Sequence, residues 1–140
     1  MALSKTVPGS LIETVVNDTT ADDSDKTFTI DKRWRLISIF VSLVTSATVG
    51  NRQLTVQILD GSDVVYEAHA GAVQAASGTV AYNFSEGNAR ETTAVNGVLD
   101  VPLPGNFALD PTYSIRVYDS AAIDAAADDM TVRVVAETWK

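Results

Sequence analysis

The chain has 140 residues, a net charge of −8, 46% hydrophobic residues, no cysteine and a single histidine. One domain of this length buries roughly two-thirds of the surface its unfolded chain exposes, and the hydrophobic share argues against disorder. The acidic balance disfavours nucleic acid, whose phosphates need clustered Lys and Arg, and the missing cysteines exclude disulfides and thiolate-held zinc.

Short β-patterned runs fill the chain. Met1 to Pro8 lacks the long apolar core of a signal peptide. Ser10–Val16 is a first apolar run, followed by the polar loop Asn17–Asp25. Lys26–Ile30 alternates, with Phe28 and Ile30 on one side. Arg33–Thr45 is the longest strand and reads as apolar on both sides, with Ile37, Ile39, Val41 and Leu43 opposite Trp34, Leu36 and Phe40. Its stretch Leu36–Val44 is far short of the roughly 20 residues that span a bilayer, so no membrane partner is expected.

Arg52–Asp60 follows a Gly-Asn turn and points Leu54, Val56 and Ile58 inward. Asp60-Gly61 is a hairpin signal that returns the chain as Val64–Ala68. Thr79–Ser85, Val98–Leu103 and Tyr113–Asp119 are further strands, Ser120–Asp129 reads as a helical turn, and Met130–Trp139 closes the chain. About eight strands without amphipathic helices between them indicate an all-β, antiparallel jelly-roll-like sandwich. Residues 1–25 form an N-terminal arm with a first strand and an acidic loop, and residues 26–140 form the sandwich. The extended stretch Lys5–Leu11 would fray alone; in an assembly it can pair with a neighbouring sheet edge.

Catalytic chemistry is scarce. His69 has no second histidine to complete a metal site, and the sequence shows no partners that mark a serine or cysteine triad around it. Glu13, Glu67, Glu86, Glu91 and Glu137 show no spacing that links two of them as a glycosidase pair. Asp18, Asp22, Asp23 and Asp25 leave a weak Ca²⁺ site open, although their spacing departs from an EF-hand loop. Asp124, Asp128 and Asp129 form a similar cluster. No catalytic residue, cofactor or firm metal site is expected. Trp34 and Phe40 are either a contact patch or the covered second face of a central strand. Trp139 reads as a docking residue, and Arg52 as a structural residue bonding nearby carbonyls.

Several stretches together resemble a known family: Trp34-Arg-Leu-Ile-Ser-Ile39, Thr48–Val56, Ala70–Ser77, Tyr113–Asp119 and Ala122–Met130. They are similar to jelly-roll capsid decoration (cement) proteins of tailed bacteriophages. The resemblance implies a non-enzymatic protein, made in the host cytoplasm, that binds the outer surface of an icosahedral capsid. It implies bridging of major capsid protein subunits and self-association as a homo-oligomer, with a homodimer favoured over a trimer that the sequence leaves open. The contacts expected on this reading are Leu11, Ile12, Trp34, Phe40 and Trp139. The alternative is a carbohydrate-binding or fibre-head module of a phage, which needs an exposed aromatic platform such as Trp34 or Tyr118.

Overall fold

The alternating runs form ten strands in a computed structural model that describes residues 10–16, 22–121, 123–124 and 126–139. They are β1 (Ser10–Val16), β2 (Lys26–Thr29), β3 (Trp34–Val44), β4 (Leu54–Asp60) and β5 (Asp63–His69). β6 (Thr79–Glu86), β7 (Val98–Leu103), β8 (Ala108–Leu109), β9 (Tyr113–Asp119) and β10 (Asp129–Trp139) complete them. One sheet runs β1-β10-β3-β6-β7, with β8 on the end of β3, and the other runs β2-β9-β4-β5. With β7 and β8 set aside as insertions, the order is first-eighth-third-sixth facing second-seventh-fourth-fifth. That is the double Greek key of an eight-stranded jelly roll. Every pairing is antiparallel except β6 with β7.

The core lies between the sheets. Ile39, Val41, Leu43, Tyr82, Phe84, Leu99, Val132 and Val134 meet Phe28, Leu54, Val56, Ile58, Ile115 and Val117. Period-2 alternation explains most of this, since one face of each strand must leave water. Gly61 takes a φ of +61° at the first of two loop positions, the sign a type II′ hairpin needs between β4 and β5.

β3 departs from the expected reading. Its register against β10 slips, with Val135 opposite Ser38 and Ala136 opposite Leu36, so Ile37 is an extra residue. Such a bulge inverts the side-chain phase along a strand. Trp34 and Leu36 before it, and Ile39, Val41 and Leu43 after it, therefore all point into one core. The two apolar sides are one apolar face with a phase change, and only Phe40 and Val44 remain as large exposed apolar residues of β3.

Two other expectations change. β1 pairs with β10 of its own chain along its whole length, from Ser10 opposite Trp139 to Val16 opposite Arg133. The apolar run Ser10–Val16 is thus the first strand of the sandwich, and the C-terminal part of the expected Lys5–Leu11 arm, from Ser10 on, belongs to it. Residues 1–9 lie outside the described residues. Ser120–Asp129 is no helix among the described residues: Ala127 and Asp128 both donate to the Asp124 carbonyl, making a single turn ahead of β10.

Candidate functional site

The two outer faces differ in chemistry. On the smaller sheet, polar side chains from adjacent strands tie one another down. Arg116 reaches Asp25 and Gln57 and covers the Tyr118 ring, its guanidinium carbon 4.1 Å from the ring centre. Gln57 donates to Glu67, whose carboxyl it holds below the usual carboxylate range. His69 Nε2 lies 2.8 Å from Glu67 Oε1, and its Nδ1 lies 3.0 Å from Thr55 Oγ1. This chain of carboxylate, imidazole and hydroxyl has the order of a catalytic triad, but Thr55 is 0% exposed, so no substrate reaches the hydroxyl.

Exposed apolar side chains stand on the outer face of the larger sheet and, as Val64 and Val65, on the edge strand β5 of the smaller one. Ile12 is 61% and Phe40 37% exposed, and Val44 is also exposed. Cross-strand neighbours share a face, so Ile12, Glu137 and Arg35 stand in one row and Arg133, Phe40 and Asn83 in another. A depression of about 570 Å³ lies beside Ile12, lined also by Arg35, Leu36, Ile37 and Ser85 to Gly87. Arg35 is anchored there by Glu137, at 2.8 Å from Nε and 2.7 Å from Nη2.

A buried polar cluster closes one end of the sandwich. Arg52, fully buried, grips Asp128 with Nε (2.7 Å) and Nη2 (3.0 Å), and its Nη1 donates to the carbonyls of Thr48 and Gly50. The Asp128 bond raises the Arg52 pKa further. Burial disfavours the Asp128 carboxylate, yet the bonds from Arg52 and from the Ser46 N–H outweigh it and lower its pKa. Asp119, at the end of β9, accepts the N–H groups of Gln53 and Ala121 on Oδ1, and its buried Oδ2 has no partner. Asp23, 4% exposed, has no hydrogen-bond partner on either oxygen. Burial, then the nearby Asp119 and Asp128, push it up to about 6.

The sequence-predicted residues disperse over this frame. Trp34 is 3% exposed, packed under the sheet by the β3 bulge, so it presents no contact surface; its indole N–H has no partner. Ile12 and Phe40 do share the outer face of the larger sheet. Leu11 and Trp139 sit in the paired strands β1 and β10, with their side chains outside the described set. The acidic loop does not converge. Asp22 accepts from Lys26 and Ser24, Asp25 pairs with Arg116, and Asp18 lies outside the described residues. Only Asp23 turns inward, and it meets Asp119 and Asp128 instead of its sequence neighbours. That trio was invisible to local spacing, since each aspartate lies at the end of a different strand; acids at strand ends inside an apolar pattern were the available signal.

No protein-family model matches the chain, and no curated protein matches it. Among solved structures, two of Tobacco streak virus coat protein are similar at 12% identity, with TM-scores of 0.38 and 0.39. They cover 96% and 97% of this chain and 90% of theirs; the second is a coat protein dimer. The structure of infectious bursal disease virus Gx strain is similar at 12% identity and a TM-score of 0.28, over 98% of this chain and 34% of its own. The jelly-roll assignment rests on the strand order of the two sheets.

Proposed function

We propose that this chain is a structural virion protein that binds the outer surface of an icosahedral phage capsid and bridges its major capsid protein subunits. The observation that carries the reading is the outer face of the larger sheet, where a jelly roll exposes Ile12, Phe40 and Val44 on β1 and β3. Jelly rolls serve viral capsids and lectins alike. The lectin-like alternative loses its platform, because Trp34 is in the core and the Tyr118 ring is covered by Arg116.

On this reading the outer face of the larger sheet is the docking face, and Leu11 and Trp139, in the paired strands β1 and β10, are proposed as further contacts. Free protein self-associates as a homodimer before docking. Each bound copy stabilises the shell by mass action, and copies that span several subunits act together.

Co-sedimentation with phage heads that lack the protein tests the proposal, with light scattering of the free chain alongside. The expected outcome is saturable binding at a fixed ratio to the major capsid protein and heads that resist heat better. Ile12→Asp combined with Phe40→Asp abolishes binding while leaving the free protein folded. Absence of binding by the parent chain sinks the capsid role.

A further inference from the structure

We propose that Asp23, Asp119 and Asp128 form a Ca²⁺ site that fastens the two sheets together at one end of the sandwich. One carboxylate oxygen from each lies within 4.8 Å of the others, and all three residues are buried. A Ca²⁺ ion takes six to eight oxygens at roughly 2.3–2.6 Å, so ligands on opposite sides of one ion lie up to about 5 Å apart. Mg²⁺, at roughly 2.0–2.1 Å, spans less and keeps more of its own water.

Two observations independent of the clustering point to a cation. Both oxygens of Asp23 and Oδ2 of Asp119 are buried without a hydrogen-bond partner, three strong acceptors in a place where each needs one. A single proton on Asp23 supplies at most one donor for three acceptors, whereas a cation can be shared by several carboxylate oxygens. Charge gives the same answer. Three carboxylates against the one Arg52 guanidinium leave two negative charges uncompensated, which a divalent cation neutralises. Asp128 keeps lone pairs to share, since Oδ2 accepts only from Arg52 Nε. Asp22 is occupied by Lys26, and Asp124 by Ser46 and Thr48, so neither competes.

The position gives the ion its role. Asp23 precedes β2, Asp119 ends β9 and Asp128 precedes β10, so two ligands belong to the smaller sheet and one to the larger. At the same end the Met130 N–H donates to the Asp22 carbonyl at 3.0 Å, already drawing β2 and β10 together.

The test uses the full chain, stripped with chelator and titrated with CaCl₂ by calorimetry and thermal unfolding. One Ca²⁺ binds per chain, and at a hundred times the Kd the Tm rises by about 5–10 °C. Asp23→Asn and Asp119→Asn each weaken binding at least about tenfold and remove the Tm shift. Asp110→Asn, in an exposed turn, keeps both. Asp23→Asn relieves like-charge repulsion, so in chelator it unfolds at or above the parent Tm, which shows that it is folded. Absence of heat and of any Tm shift up to about 10 mM Ca²⁺, or an unchanged response in Asp23→Asn, overturns the site. An equal response to Mg²⁺ overturns the assignment to Ca²⁺. No capsid enters either readout, so the result is separate from the virion reading.

Discussion

At the residue scale, two aromatic side chains of one strand have opposite fates. Trp34 fills the core and Phe40 faces outward, although six-residue spacing puts them on the same side of a regular strand. Trp34→Ala is expected to cost about 3–5 kcal/mol through the cavity it leaves, whereas Phe40→Ala stays within about 1 kcal/mol; urea unfolding of both variants measures the contrast. Arg52 makes the second prediction. Its replacement by Ala strands Asp128 as a buried charge, a loss of about 3–5 kcal/mol. Arg52→Met with Asp128→Leu recovers most of it, because neither charge is then buried alone; chemical denaturation of both in chelator decides. Sequence reading found Arg52's structural role, since a side chain beside a Gly-Asn turn has local carbonyls to bond. It could not find that Asp128 was the partner, because the pairing crosses 76 positions.

At the element scale, strands whose alternation is regular were legible, and those shaped by their neighbours were not. β2, β4, β6 and β9 followed from period-2 patterns alone. β8, two residues long, carries no period, and its place on β3 is fixed by pairing with Trp34 and Arg35. The β3 bulge was hidden because one inserted residue makes a single face look like two. Deleting Ile37 restores strict alternation and turns Trp34 and Leu36 toward water. The variant is expected to bind a hydrophobic dye and lose its cooperative thermal transition. Gly71 is a second constraint set by a neighbour. A Cβ there would sit 1.9 Å from the Glu91 carbonyl oxygen, and that segment is held by two bonds between Glu91 and Asp100. Gly71→Ala is therefore expected to lower stability by about 1–3 kcal/mol or more, seen as a fall in Tm.

At the scale of the whole molecule, net charge and docking chemistry pull apart. The chain carries −8, yet the face proposed for the shell exposes apolar side chains beside Arg35 and Arg133. Docking through Ile12 and Phe40 is expected to survive a rise from 0.1 to 1 M salt, over which the Debye length shrinks from about 10 to about 3 Å. Co-sedimentation across that range checks it, and a steep loss of binding points to ion pairs instead. The acidic surface then acts against association beyond the proposed homodimer.

The pairing of β1 with β10 has a consequence for synthesis. The ladder partner of β1 is the last of the described strands in chain order, and β10 is also the strand that joins β1 to β3. A nascent chain halted before Asp129 holds both β1 and β3 without their shared neighbour, so the larger sheet closes only once β10 has left the ribosome. Folding is accordingly expected to be slow for the size of the domain, because these contacts join distant parts of the chain. Because Ser10 stands opposite Trp139, tags fused ahead of the one and behind the other leave from the same corner of the sandwich.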